Sequence, residues 1–508
     1  MAPPSRPYRF EPFLGALSDD WYADDPLLHR LLDRHAAGAE RDRLRAWGPV
    51  VAGRLRALAE ESARPENAPR LRPRDAYDRR VDAIELPAST LEALAIAEGD
   101  ARLGTVHADP FVHYAMVYLL AQNGEAGVAC SVACTDGLVR ALDALGDRPV
   151  HTAVAAAVRA SSAERYVHGA QFVTEIQGGS DVPANRVRAV AEGDAWRIHG
   201  PKWFCSNINA DWFLVTARPD GGPVGLFLVP AYARDAEREG PAGAEEGGGE
   251  RNGYVIQRLK DKLGTRELAT AEVAFEGTRA WAVGPVERGL ANLLRYVLTP
   301  SRFACVLFAA AALRSAERIA GGYATFREAF GHAIADYPLV ARTLAEIREA
   351  RSQALGCAFE LLRLWRAAEA SDYRGREAVD FRILLSLAKP VLTRRATTLL
   401  HDAMMLLGGN GIEERFSPLP RLYRDAVIME TWEGPHNVLF TQALRDMIRF
   451  DVEAGAFVQR LTGSHLREVE AALGAALAAA SGRPDGGTLE IAGAAPALVA
   501  AVGAAAAE

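Results

Sequence analysis

Val173-Thr174-Glu175-Ile176-Gln177-Gly178-Gly179-Ser180-Asp181 lies where the chain changes its period. Upstream, from about Leu27 to Tyr166, apolar residues recur at helical spacing: Leu28, Leu31 and Leu32, then Val50, Val51, Leu55 and Leu58. A polar break at Glu61 to Arg74 interrupts that pattern, and Pro110 to Leu145 reads as paired buried helices. Downstream the period shortens. Ala189 to Ile198, Trp212 to Ala217, Val224 to Val229, Tyr254 to Leu259 and Ala271 to Phe275 are expected strands. Glu237 to Asn252, rich in Gly and Glu, is expected as an exposed insertion between two of them. Helical periodicity returns from Leu290, with breaks expected at Gly321–Gly322 and at Gly408 to Gly411. Helices, a short β block and helices again imply a mostly α, α+β chain with a small barrel or sandwich between helical layers, not a βαβ nucleotide fold. The expected divisions are residues 1–168, 169–285, 286–450 and a helical tail, 451–508.

At 508 residues the chain is long enough for several domains. A net charge of −7 gives no global basis for nucleic-acid binding, and the tail after Phe450 has no lysine and scattered arginines. The lysines are Lys202, Lys260, Lys262 and Lys389; the remaining basic charge is arginine. Five cysteines without a CxxC pair or a His/Cys cluster argue for a reducing compartment, no disulfide framework and no metal site. Met1 to Pro12 carries no apolar run of the secretory kind. The Ala- and Gly-rich stretch Ile491 to Ala507 reads as a packed or frayed helix, not a membrane span. The protein is therefore expected in the cytoplasm.

Four segments offer chemistry. Gly178, Gly179 and Ser180 can make a concave donor site for a phosphate or a flavin edge; a turn into a strand is the plainer alternative. Gly200-Pro201-Lys202-Trp203-Phe204-Cys205-Ser206-Asn207 sets an aromatic pair before a small hydroxyl, suited to stacking on a planar ring or merely to a buried turn. Leu406-Leu407-Gly408-Gly409-Asn410-Gly411 is either a phosphate-approach loop or a helix cap. In Trp432-Glu433-Gly434 a poorly solvated carboxylate would have a raised pKa and serve as a base, although most glutamates are surface acids.

Their order and spacing together resemble the acyl-CoA dehydrogenase family, from about Asp109 to Phe450. The resemblance implies a helical N-terminal domain, a middle β-barrel and a C-terminal four-helix bundle, with FAD as cofactor. It assigns Val173, Thr174, Gly179 and Ser180 to the flavin pyrimidine and pyrophosphate, Phe204 to the flavin face and Ser206 to N5. Lys262-Leu263-Gly264-Thr265-Arg266 matches the family's KLGxR stretch. Arg327 and Phe330 of Arg327-Glu328-Ala329-Phe330-Gly331 match residues that reach the FAD of a neighbouring subunit, and Gly408, Gly409 and Gly411 match the loop that approaches FAD across a dimer. Glu433 falls at the catalytic base; Glu175, Arg302, Gly434 and His436 fall at substrate-contacting positions. Glu125-Ala126-Gly127, Gln177-Gly178-Gly179 and Arg258-Leu259-Lys260-Asp261-Lys262 are most similar to the AidB-type branch, named for an adaptive response to DNA alkylation.

The implied activity is α,β-dehydrogenation of an acyl-CoA or another acyl thioester, with Glu433 taking the α-proton and flavin N5 the β-hydride. An electron-transfer flavoprotein is an expected partner, and a homodimer or homotetramer the expected assembly. Ser301 replaces the alternative base that some members carry on the first bundle helix. Two further activities stay open: an oxygen-using flavoenzyme of the nitroalkane oxidase or N-hydroxylase type, and an AidB-like nucleic-acid-associated flavoprotein. Gln171 stands where an aromatic is frequent, and Pro435 and His436 depart from the usual residues after Glu-Gly. His332 and His401 are expected to be solvent-facing or helix-packed.

Overall fold

The computed structural model describes residues 9–15, 17–35, 40–238, 250–480, 483 and 485–508. The middle of the expected Glu237–Asn252 insertion, and Met1 to Tyr8 of the N-terminal stretch, lie outside the described residues.

Helix α1 (Pro110–Ala121) is apolar on every side and buried accordingly, opened by Pro110 and by the Asp109 carboxylate, which accepts the Phe111 N–H at 2.9 Å. After the turn at Gly124 and Gly127, α2 (Ala129–Leu145) runs on to pack Leu138 and Leu142 against the β domain. The N-terminal helices are tied to the bundle by Asp25, fully buried, which accepts from Arg351 and from Tyr118.

The polar break conceals a hairpin. Strands β1 (Arg70–Arg74) and β2 (Arg80–Glu85) pair antiparallel within a segment expected to be helical or irregular. Their residues are mostly exposed, so no alternation marks them. The hairpin is held instead by the buried Asp82, which accepts the Ile256 N–H at 2.9 Å, and by Leu71 and Ile84, which pack on the barrel.

The barrel comprises β3 (Gly169–Phe172), β4 (Arg188–Glu192), β5 (Ala195–Ser206), β6 (Trp212–Pro219), β7 (Gly225–Pro230), β8 (Tyr254–Leu259) and β9 (Thr270–Ala282). Strands β6, β4, β5, β9 and β7 pair in that order, and β7 returns to β6, so the sheet closes; β3 continues the β4 edge of β6, and β8 pairs with β9. The expected strand Ala189–Ile198 is in fact the β4–β5 hairpin, which turns at Gly193. β6 and β7 are buried along almost their whole length because each face meets a different core. Phe213, Val215, Phe227 and Val229 fill the barrel, while Trp212, Leu214, Leu226 and Leu228 face the helical layer containing α2.

The bundle consists of α3 (Thr299–Phe326), α4 (Pro338–Ala370), α5 (Arg376–Leu406), α6 (Leu419–Thr431) and α7 (His436–Arg449). The expected break at Gly321–Gly322 does not occur: α3 continues to Phe326, since Phe13 packs 3.7 Å from where a Gly322 side chain would begin and Tyr323 and Ala324 are buried. Packing here outweighs the roughly 1 kcal/mol that each helical glycine costs. α8 (Thr488–Ala507), in the tail, crosses α4 backbone against backbone: a Cβ on Gly356 would lie 2.1 Å from the Gly503 carbonyl oxygen. By length and composition two helical stretches, Val286–Phe326 and Thr488–Ala507, are apolar enough to cross a membrane; the first is mostly buried in the core.

Candidate active site

A cavity of about 850 Å³ opens where the barrel meets α2, α3 and the turn after α6. Its wall includes nine of the residues singled out from sequence: Val173, Thr174, Gly179, Ser180, Phe204, Ser206, Arg302, Glu433 and Gly434.

One wall suits a flavin. A Cβ on Gly179 would sit 2.4 Å from Thr174 Oγ1, so glycine lets the chain fold back on Thr174 and present Ser180 to the cavity. Phe204 remains 49% exposed there although the barrel behind it is closed. Lys260 Nζ stands 3.3 Å from the Trp203 ring centre and 4.7 Å from that of Phe204, holding the aromatic pair by cation–π attraction. Lys262 donates to Thr270 Oγ1 at 2.9 Å, and Thr270 lies 3.1 Å from Ser206 Oγ. With that lone pair taken by an ammonium, Thr270 is free to donate to Ser206, which leaves the Ser206 proton for a ligand acceptor. An exposed aromatic, paired hydroxyls and a glycine-hugged turn make a donor set that fits FAD.

The opposite wall carries the acid. Glu433 follows α6 with φ 55°, a left-handed conformation unusual for a non-glycine residue. Two buried cations hold this turn by its main chain. Arg302 Nε donates to the Glu433 carbonyl at 2.9 Å, and Lys389 Nζ donates to the carbonyls of Glu430 and Gly434 at 2.8 and 2.9 Å. The carboxylate receives Gln171 Nε2 at 2.9 Å. Burial pushes its pKa up to about 7, against the opposing pull of Arg302, Lys389 and Gln171. A carboxyl so poised, facing a largely apolar cavity, can accept a proton near neutral pH. Lys389 and Gln171 were not picked out as functional from sequence; the rarity of lysine in the chain was the available signal for Lys389.

Other expected residues stand elsewhere. Glu175 does not line the cavity, which corrects its expected substrate contact. It is 2% exposed, and its oxygens are taken by Lys202 at 2.9 Å, Gln177 at 2.7 Å and the Arg186 and Val187 N–H groups at 2.7 and 3.1 Å. His436 also stays off the cavity wall, because it opens α7 with its ring turned to Glu430, Nε2 3.5 Å from Oε2. Arg327, Phe330 and Gly408 to Gly411 lie at the other end of the bundle. Phe330, at φ 51°, tips a two-residue hairpin and is 96% exposed, while Asn410 bonds Tyr323 near the end of α3. From Arg302 to Phe326 the helix spans roughly 36 Å at ~1.5 Å per residue. One chain cannot bring these two sets together. Among the described residues no group of His, Cys, Asp and Glu is arranged to hold a metal.

Residues 16–163 match the adaptive response protein AidB N-terminal domain, 170–278 the acyl-CoA dehydrogenase middle domain and 287–448 the acyl-CoA dehydrogenase C-terminal domain. Acyl-CoA dehydrogenase family member 11 of Caenorhabditis elegans is 31% identical over 444 residues, covering 84% of this chain and 70% of that protein. The putative acyl-CoA dehydrogenase AidB of Escherichia coli is 30% identical over 462 residues, 86% of this chain and 80% of that one. The solved structure of Caenorhabditis elegans ACDH-11 in complex with C11-CoA matches 95% of this chain and 87% of its own at 25% identity, with a TM-score of 0.80. The chain therefore belongs to the acyl-CoA dehydrogenase family of FAD-dependent oxidoreductases, in its AidB-type branch.

Proposed function

We propose that the protein catalyses α,β-dehydrogenation of an acyl-CoA, with Glu433 as the base. The observation that carries this reading is that Glu433, half-buried, with desolvation pushing its pKa up to about 7, stands on the wall of the same cavity as Thr174, Ser180, Phe204 and Ser206. Bound FAD supplies the acceptor for the β-hydride. Glu433 takes the α-proton, so that the two departing hydrogens leave an α,β double bond and the carboxyl ends protonated. Leu290, Leu294, Leu298, Phe308 and Val438 give the cavity an apolar lining for the acyl chain. The related ACDH-11 structure holds C11-CoA, and this favours a medium-length chain. Arg302 and Lys389 keep the base-bearing turn in its left-handed form by occupying three of its carbonyls.

The second set of residues completes the reading in a homodimer, or a homotetramer built from dimers. Arg327, Phe330 and the Gly408–Gly411 turn of one copy would meet the flavin of another, consistent with an aromatic side chain standing 96% exposed at a hairpin tip. An electron-transfer flavoprotein is the proposed acceptor of the electrons, and the cytoplasm, where five free cysteines stay reduced, the proposed compartment.

The test is an anaerobic flavin spectrum of the purified protein titrated with straight-chain acyl-CoAs of graded length. Bleaching by a medium-chain thioester, lost in Glu433→Gln, is expected. A yellow protein that no thioester bleaches would overturn the dehydrogenase in favour of an oxygen-using relative.

A further inference from the structure

Gln171 projects from β3 toward the base, and its amide has one sensible orientation. Nε2 donates to Glu433 Oε1 at 2.9 Å and to Ser301 Oγ at 3.1 Å. Flipping the amide would set a carbonyl oxygen against the carboxylate, so the donor faces Glu433 whenever the acid is ionised. The amide oxygen, meanwhile, is buried without a hydrogen-bond partner.

Other groups approach the base without bonding its carboxylate. Arg302 and Cys305 come from α3, Lys389 from α5, and both cations donate to main-chain carbonyls. Glu430 pairs with Arg394 at 2.8 Å and faces the His436 ring across the turn, and Cys130 and Cys134 of α2 pack with Trp432. We propose that Gln171 is a positioning residue for Glu433: its amide, steadied by the Ser301 hydroxyl, fixes one carboxylate oxygen so that the other is presented to the substrate. What the presented oxygen then does rests on the dehydrogenase reading; the hydrogen bond does not.

Because donation to the ionised form favours that form, deleting the donor raises the pKa of the base. Gln171→Met keeps the volume and removes the donor. The protonation of Glu433 is followed without substrate, by infrared titration of the carboxyl band that is missing from Glu433→Gln. The native midpoint is expected near 7, and Gln171→Met should move it up by about one pH unit. With a bleaching acyl-CoA, kcat at pH 7 should drop about fivefold, as the ionised fraction falls from about a half to about a tenth, and recover as pH rises, with KM little changed. Ser301→Ala should shift the midpoint in the same direction by less, and retained flavin reports folding in both variants. An unmoved midpoint in folded Gln171→Met would overturn the proposal. Failure of every acyl-CoA to bleach the native flavin would sink the dehydrogenase instead, while the infrared midpoint would still judge Gln171.

Discussion

Glu175 is a buried acid and Glu433 a half-buried one on a cavity wall, each with a buried lysine close by, and they are held in opposite ways. Lys202 meets Glu175 directly at 2.9 Å, and two backbone N–H groups and Gln177 complete its shell. Burial alone would raise the pKa of Glu175, but these partners hold it below the usual carboxylate range. Lys389 gives its hydrogen bonds to main-chain carbonyls around Glu433, so the turn is held while the carboxylate keeps little support, and burial prevails. The same two residue types thus build a structural ion pair in one place and a poised base in the other. What separates them is whether the lysine bonds the carboxylate or the backbone that carries it.

The sharpest way to break that contrast is Glu433→Gln. If the base is as described, kcat falls by about a hundredfold to ten-thousandfold, the span of general base catalysis, measured as the rate of flavin bleaching. Stability should move the other way. A carboxyl whose folded pKa is raised to about 7 opposes folding once ionised; its contribution is intact below about 4.5 and is lost as pH rises through 7. The glutamine variant should therefore unfold at higher denaturant than the native protein at pH 8, by on the order of 3 kcal/mol, and match it near pH 4. A variant less stable at pH 8 would mean that Glu433 is, like Glu175, a structural acid.

Lys202→Met tests the other half. It strands a buried carboxylate, a change that typically costs about 3–5 kcal/mol, read by denaturant unfolding. For Glu175 the linkage has the opposite sign: its lowered pKa stabilises the fold above about 4.5 and that support is lost as pH falls through the folded value. If Lys202→Met were nearly neutral, the backbone donors alone would suffice for Glu175.

Much of this architecture was legible because motif order is one-dimensional information. The Val173–Asp181 segment with its Gly-Gly-Ser-Asp turn, the Trp-Phe-Cys-Ser turn and Trp-Glu-Gly appear in the chain in the sequence that barrel and bundle require, and eight of the residues chosen from them line one cavity. The β1–β2 hairpin was not legible, since it docks through Asp82 and two apolar side chains and leaves the rest to solvent. Nor was the role of Glu175, which depends on where Lys202 points. Lysine itself carried an unread signal. Only 4 of the 58 basic residues are lysines, and all four stand at or beside this cavity. An ammonium donates from one point, as Lys202 does to Val173, Glu175 and Thr216; the planar fork of arginine does not match such a cluster.

The pH dependence of turnover sharpens the comparison with a smaller effect. Because Glu433 must be ionised to accept a proton and its pKa is about 7, kcat/KM should fall tenfold per unit on the acid side of 7. A profile flat down to pH 5 would place the base among well-solvated carboxylates and remove its distinction from Glu175.

The smallest effect belongs to His436, three residues from the base yet turned to Glu430 and away from the cavity. Burial lowers its pKa, so the ring is neutral where the base works and adds no charge that the base would feel. His436→Asn should therefore leave kcat/KM within about twofold and stability within about 0.5 kcal/mol, as for a side chain outside the core and outside the chemistry. A tenfold loss would show that the Glu430–His436 contact shapes the turn from outside, as Lys389 does from within. The poise of Glu433 would then depend on both flanks of its own loop, and the contrast with Glu175 would no longer reduce to where one lysine places its hydrogen bonds.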